Sequence, residues 1–250
     1  MAVENNKVVE EIKILSVPVT VFDSYSHAVE TIISRIKNQQ KSFCVAISPE
    51  KIYRIESDND LAQIVKSADI HICDGIGTAI AARILTGRKI RRITGVQLFQ
   101  DLISRCAIEG LKVFMLGASA ESNKSACEKL LMKYPDLKIV GQQDGYFNDN
   151  TAIVRMINDS RADMLFVAMG SPKQEKWIGK FRDEINALFC MGVGGTFDVV
   201  AGQVKWAPKF FRKTGSEFLY RLIKEPNRWR RYLTLPKIVM MVLKQKFYNT

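Results

Sequence analysis

Short, predominantly apolar segments alternate with amphipathic ones along most of the chain, and this alternation limits the fold more than any other feature. Five apolar segments have the length of a strand, at 43–47, 70–73, 111–116, 164–168 and 188–191. Between them lie segments with apolar residues at helical spacing, such as 24–37, 95–108 and 121–133. Apolar strands of this kind are buried on both faces. The pattern therefore predicts an α/β fold, a mostly parallel sheet with helices on both faces.

The last fifth of the chain differs from the rest in charge. Residues 203–250 contain twelve Lys and Arg residues against two Glu, a net charge of +10, while residues 1–202 carry only +1. Helix-like stretches at 216–225, 228–234 and 237–248 are separated by Pro226 and Pro236. We predict an α/β body over 1–202 and a basic helical C-terminal appendage over 203–250. Such an appendage favours polyanions: phosphates, an anionic membrane surface or nucleic acid.

The remaining composition points to a cytoplasmic protein. The apolar run at 238–243 is far shorter than the roughly 18 residues that a membrane-spanning helix needs. The polar N-terminus predicts no secretory signal. Five scattered cysteines without a CxxC pair favour neither a disulfide framework nor a zinc knuckle.

Candidate site residues follow the predicted strands, because ligands of open α/β sheets bind beyond the carboxyl ends of the strands. The polar and glycine residues at those ends are Ser48, Glu50, Asp74, Gly75, Gly117, Lys173, Gln174, Gly194 and Asp198. Asp74, between an apolar strand and a glycine-rich turn, suits a general base, a metal ligand or a helix N-cap. Gly117 and Gly194 lie in turns that resemble phosphate-binding turns.

The sequence lacks the residues that several kinds of binding site and catalytic site require. No complete GxGxxG dinucleotide motif is present, and neither is a GxxxxGK[ST] phosphate loop. His27 and His71 are the only histidines, and His71 lies within an apolar strand, which predicts a hydrogen-bonded structural histidine. With no Cys pair and no tight Asp cluster, a dedicated metal site is not indicated.

The appendage carries a dense arginine motif that includes Arg221, Arg228 and Arg231. Guanidinium groups bind phosphate through paired hydrogen bonds, so this motif suits a diphosphate. A nucleic-acid-binding face is the alternative, since Trp229 and Tyr232 lie among the charges.

Taken together, the chain resembles the WecG/TagA/CpsF family of bacterial glycosyltransferases (glycosyltransferase family 26) from about Ile14 to Arg231. The matching segments, in order, are SPEKIYR (48–54), ADIHICDGIGTAIAAR (68–83), RRITG (91–95), VFMLGASAES (113–122), YPDLKIVGQQDGYF (134–147), VAMGSPKQEKWI (167–178), GVGGTFDVVAG (192–202) and EFLYRLIKEPNRWRRY (217–232). Each segment alone is unspecific, and their shared order makes the resemblance specific.

The resemblance implies a Rossmann-like fold of the GT-E type and an inverting glycosyltransferase without metal or cofactor. It implies transfer from a UDP-sugar to an undecaprenyl-diphosphate-linked sugar, by a protein peripheral on the inner face of the cell membrane, in cell-surface polysaccharide or teichoic acid synthesis. Asp74 would be the general base, Arg92 and Gln174 would hold the donor or its leaving group, and Arg221, Arg228 and Arg231 would close over the diphosphate. A homo-oligomer is left open, and nucleic acid is not an expected partner.

Three departures from the family pattern bear on specificity. Ala46-Ile-Ser48-Pro-Glu50 stands where many members have Thr-x-Asn-x-Glu, Trp206 replaces the Arg of Arg-Ala-Pro, and Ser216-Glu-Phe218 replaces Leu-Glu-Trp. The first departure lies near the expected sugar pocket, so the donor sugar is N-acetylmannosamine or a hexose such as glucose. A dinucleotide-dependent oxidoreductase and a nucleic-acid-binding protein are the alternative functions.

Overall fold

A computed structural model describes residues 9–224 and 234–248. The described chain begins with an antiparallel hairpin of β1 (Glu11–Ile14) and β2 (Val17–Thr20), in which Ile14 pairs with Val17. The sequence is β-rich without interruption over residues 12–22, which predicts a single extended segment. It is divided because Leu15 adopts a left-handed backbone conformation with φ of 55°, which reverses the chain.

A six-stranded parallel sheet forms the centre of the described structure. Its strands are β3 (Ser42–Ile47), β4 (Ile70–Cys73), β5 (Lys112–Gly117), β6 (Lys138–Gln143), β7 (Met164–Ala168) and β8 (Phe189–Gly192). The spatial order is β4-β3-β8-β7-β5-β6, and every neighbouring pair is parallel. The predicted parallel α/β fold is confirmed.

Helices cover both faces of this sheet. In chain order they are α1 (Tyr25–Lys37), α2 (Pro49–Ile55), α3 (Asn59–Ser67), α4 (Ile76–Thr86), α5 (Gly95–Glu109), α6 (Ala120–Lys133), α7 (Asn150–Ser160), α8 (Lys173–Phe181) and α9 (Thr196–Ala201). Helices α2, α3, α4, α7 and α8 pack into one core cluster, and α1, α5, α6 and α9 into the other. Successive strand residues point to opposite faces, so Phe166 enters one cluster and Val167 the other. Helix α3 was not predicted.

The C-terminal part adds α10 (Lys209–Thr214), α11 (Glu217–Lys224) and α12 (Thr234–Tyr248). Helix α12 packs against α2 and α4, and its buried Ile238 and Val242 join the core cluster of that face. The sequence placed Pro236 between helices, whereas α12 includes it in its first turn. Proline is tolerated there because a first-turn N–H has no partner within the helix. The predicted helix at 228–234 lies mostly outside the described residues.

No helix among the described residues is long and apolar enough to cross a membrane. The predicted division at residues 202 and 203 stays a prediction, and the packing of α12 shows that residues of both parts share one core.

All five cysteines are buried and none forms a disulfide. Burial raises the pKa of each thiol to about 12. Because the reactive species is the thiolate, these groups are nearly unreactive at neutral pH.

We expect the native protein to resist iodoacetamide at pH 8, since buried thiols with raised pKa values hold almost no thiolate. Intact-mass measurement should show little native labelling and five additions after unfolding in guanidinium chloride. Rapid native labelling of Cys73, which immediately precedes a candidate site residue, would show that this end of β4 opens readily.

Candidate active site

The carboxyl ends of β3 and β8 mark the position at which the topology of the sheet predicts a ligand crevice. These strands are neighbours, yet α2 leaves β3 toward one face of the sheet and α9 leaves β8 toward the other. Diverging connections of this kind leave a space between the loops, the usual ligand position in open α/β sheets.

Asp74 occupies the end of the adjacent strand, β4. Its backbone N–H donates to the Ile47 carbonyl at 3.0 Å, which aligns the two strand ends. The half-buried carboxylate faces α5: a methyl group placed on Gly95 would lie 3.9 Å from Asp74 Oδ2 and 3.7 Å from Cε of Met191. Four elements, β3, β4, β8 and α5, thus converge around this side chain.

The helix N-cap interpretation of Asp74 is wrong. The N-cap residue of α4 is Gly75 and not Asp74. Gly75 has φ of +91°, a conformation that side-chain-bearing residues rarely adopt, and it lies against Pro49 at the start of α2. The turn therefore brings the start of α2, with the Ser48 loop, against the residue that follows Asp74.

Arg92 lies next to the same strand end. The Ile93 N–H donates to the Cys73 carbonyl at 2.9 Å, which holds the 92–94 segment along the end of β4. Arg92 Nη1 forms a 3.0 Å ion pair with Glu217 of α11, and Nη2 donates to the Arg212 carbonyl of α10. Arg92 therefore joins the C-terminal helices to the body.

A cavity of about 740 Å³ opens beside Arg92, and we call it the basic groove. Its cationic side chains are Arg83, Lys89, Arg91, Arg92, Lys209 and Arg212. Ile76, Ile80 and Trp206 supply apolar wall, and the Arg212 guanidinium stacks 3.9 Å from the centre of the Trp206 ring. Only Arg92 in this group was singled out from the sequence.

Gln174 is buried, with 4% of its surface exposed. Its Oε1 accepts from the Gly194 N–H at 2.9 Å, and its Nε2 donates to Glu175 Oε1 at 3.1 Å. The amide packs against Gly192, where a methyl group would come within 2.4 Å of Nε2. Gln174 and Gly194 are thus brought together, and the Gly194 N–H that suited a phosphate is already bonded.

Glu175 forms a buried ion pair with Lys51 of α2, with Nζ and Oε1 2.6 Å apart and both side chains at most 5% exposed. Burial is the largest single influence on Glu175 and acts to raise its pKa. The charge of Lys51 and hydrogen bonds from Lys51 and Gln174 outweigh it, so the pKa of the carboxyl lies below its usual range. The pair links α2 to α8 behind the crevice.

Four other residues that were predicted for the site form contacts with neighbouring parts of the protein. Ser48 caps α2 through the Lys51 N–H, and Glu50 pairs with Arg54 at 3.0 Å. Asp198 accepts from the Ser122 hydroxyl at 2.7 Å, joining α9 to α6. Lys173 is exposed, with Nζ 3.5 Å from the Gly145 carbonyl.

Gly117 at the end of β5 meets a steric requirement. Its φ is +110°, and a methyl group there would lie 2.6 Å from the Ala168 carbonyl.

Arg221 belongs to α11, whereas Arg228 and Arg231 lie outside the described residues.

Lys51 and Glu175 were missed by the sequence reasoning, although a signal for Lys51 was present. Ser48, Lys51, Ile52 and Ile55 recur at the spacing of one helix face, so a lysine on the buried side of α2 could have been noticed. No comparable signal locates its partner in α8, 124 residues away.

The fold and the crevice define a Rossmann-like α/β protein with a carboxylate at a strand end and a cationic groove beside it, suited to phosphate-bearing substrates. The chain belongs to the glycosyl transferase WecG/TagA/CpsF family, which it matches over residues 12–250.

Two relatives are N-acetylglucosaminyldiphosphoundecaprenol N-acetyl-beta-D-mannosaminyltransferases. The one from Bacillus subtilis is 35% identical over 200 residues, 80% of this chain and 78% of the relative. The one from Bacillus spizizenii is 34% identical over 221 residues, 88% of this chain and 85% of the relative. The resemblance inferred from the motifs is confirmed, and the oxidoreductase and nucleic-acid-binding alternatives are not favoured.

Replacing Lys51 by Met should lower the free energy of unfolding by about 3–5 kcal/mol, because Glu175 would stay buried without its counter-charge. Urea unfolding followed by circular dichroism measures the change. Lys176→Met is the matched control: its pair with Asp58 is partly exposed, so we expect about 1 kcal/mol or less.

The double variant Lys51→Met/Glu175→Leu should recover most of the loss, since no unpaired charge then remains. Equal losses in Lys51→Met and Lys176→Met would contradict a stabilising role for the buried pair.

Proposed function

We propose that this glycosyltransferase moves N-acetylmannosamine from a UDP-linked donor to an N-acetylglucosamine carried on undecaprenyl diphosphate. The names of both relatives support the sugar and the acceptor. The observation that carries the proposal is the position of the Asp74 carboxylate. It is half-buried at the crevice and lies beside the 92–94 segment, which lines one end of the basic groove. Glucose is the second candidate donor sugar, since Ala46 and Ser48 replace a Thr and an Asn of the family pattern.

The chemistry is a single displacement at the anomeric carbon. Asp74 takes the proton from the acceptor hydroxyl as its oxygen bonds to the anomeric carbon, and the bond to the UDP oxygen breaks on the opposite side. The anomeric configuration inverts, and UDP leaves with the bonding electron pair. Positive side chains stabilise the charge that develops on the departing diphosphate.

We assign that stabilisation to Arg221, Arg228 and Arg231. The ion pair of Arg92 with Glu217 supports this, because it holds α11, the helix that contains Arg221, against the body. Arg92 and Gln174 then act chiefly by position: Arg92 anchors the C-terminal helices, and Gln174 shapes the turn at Gly194.

Asp74→Asn should abolish transfer while UDP-sugar binding stays near normal, since the amide cannot accept the proton but matches the carboxylate in size. A radiolabelled transfer assay on a lipid-linked acceptor measures turnover, and calorimetry measures donor binding. The wild type, run with UDP-N-acetylmannosamine and UDP-glucose, identifies the donor sugar.

Asp159→Asn, an exposed aspartate on α7, is the matched control and should keep full activity. Near-normal turnover in Asp74→Asn would remove Asp74 as the base.

We propose that the reaction takes place at the membrane surface and that α12 contacts the lipid. Its buried face carries Ile238 and Val242, while Val239, Met240, Leu243 and Phe247 are 40–77% exposed on the remaining surface. Exposed apolar side chains flanked by Lys237 and Lys244 suit a helix lying on an anionic lipid surface.

Met240→Ser/Phe247→Ser should weaken binding to vesicles containing phosphatidylglycerol by at least about tenfold, because two exposed apolar side chains would no longer enter the lipid. Co-sedimentation measures the bound fraction. Met132→Ser, which alters an 83% exposed methionine on α6, should bind like the wild type. Equal binding by all three proteins would exclude this face of α12.

A further inference from the structure

The basic groove holds more positive charge than its own carboxylate can neutralise. Glu217 lines the groove and is paired with Arg92. The side chains of Arg83, Lys89, Arg91 and Lys209 form no ion pair with any residue that the structure describes. Cations gathered in one cavity repel each other, so the groove gains free energy when an anion occupies it.

The groove wall is also partly apolar. Ile76 and Ile80 extend from α4, with Ile80 51% exposed, and Trp206 lies beneath the Arg212 guanidinium. A free inorganic anion gains nothing from such a wall. An anion that continues into a hydrocarbon chain uses both the cationic and the apolar side chains.

The groove begins close to Asp74. Thr94 lines it and directly precedes Gly95, the residue that faces the Asp74 carboxylate. Asp74 ends β4, the edge strand of the sheet, whereas Gly117 and Gly194 follow β5 and β8, further into the sheet. The groove therefore begins at the residue next to the one that the carboxylate faces.

We propose that the basic groove binds the diphosphate of the polyprenyl-linked acceptor, with its first isoprene units against Ile76, Ile80 and Trp206. This rests on the proposed function, in which Asp74 activates an acceptor hydroxyl. In a sugar attached to a diphosphate through its anomeric carbon, a reactive ring hydroxyl and the diphosphate are separated by the pyranose ring. A diphosphate in the groove beside Thr94 therefore leaves the hydroxyl free to reach Asp74.

The test removes two groove charges, in Arg91→Gln/Lys209→Gln, both exposed residues without ion pairs to the described part of the chain. We expect the KM for a short-chain lipid diphosphate acceptor to rise at least about tenfold, because charged hydrogen bonds to phosphate are lost. The KM for the UDP-sugar should stay within about twofold. Lys66→Gln/Arg155→Gln removes the same charge from exposed helix positions elsewhere and should leave both KM values unchanged.

Direct binding separates this proposal from the proposed function. Farnesyl diphosphate, titrated calorimetrically, should bind the wild type and the control and bind the groove variant at least tenfold more weakly, whether or not transfer is observed. Inorganic diphosphate should bind more weakly than farnesyl diphosphate, since it lacks the hydrocarbon.

A rise in the donor KM alone would overturn the proposal and assign the groove to the UDP-sugar. Loss of binding to phosphatidylglycerol vesicles with farnesyl diphosphate affinity unchanged would also overturn it, and would make the groove a lipid-headgroup site. Absence of transfer by the wild type would refute the proposed function and leave the farnesyl diphosphate result to decide the groove.

Discussion

The buried ion pair between Lys51 and Glu175 connects the parts of the protein that form the crevice. Desolvating two charges is costly, and the cost is offset only when the pair is short and further hydrogen-bonded, as it is here. Glu175 also accepts from Gln174, and Gln174 in turn accepts from the Gly194 N–H. One chain of contacts thus runs from the start of α2 through α8 to the turn after β8. The positions of these strand-end loops relative to each other depend on it.

A second set of polar contacts fixes the other side of the site. The 92–94 segment is bonded to the end of β4, and Arg92 reaches from it to α10 and α11. Glu217 is the only carboxylate among the described residues that line the basic groove, and Arg92 neutralises it, so the groove stays strongly cationic. Asp74 thus lies close to a strongly cationic groove, an arrangement suited to a phosphate-bearing substrate.

Much of the architecture was predictable from local sequence because it follows from local physics. Apolar strands such as 164–168 indicate burial on both faces, and the carboxyl ends of parallel strands share one edge of the sheet, which was enough to select Asp74, Gln174 and Gly194 as candidates. The contacts that each of these side chains forms could not be predicted in the same way. Gln174, expected to hold the donor or its leaving group, is buried against Gly192, because contacts between the loops after β7 and β8 are set by the order of the strands in the sheet.

The sequence by itself determined the parallel α/β class, the uneven charge, the family resemblance and the strand-end position of Asp74. Each of these depends on residue types and on spacing within one segment. Only the tertiary structure decided that Lys51 pairs with Glu175, that Arg92 holds Glu217, and that cations from α4, the 89–92 segment and α10 line one groove. Those pairings join residues more than a hundred positions apart, and such contacts form when the sheet assembles and leave no local pattern in the chain.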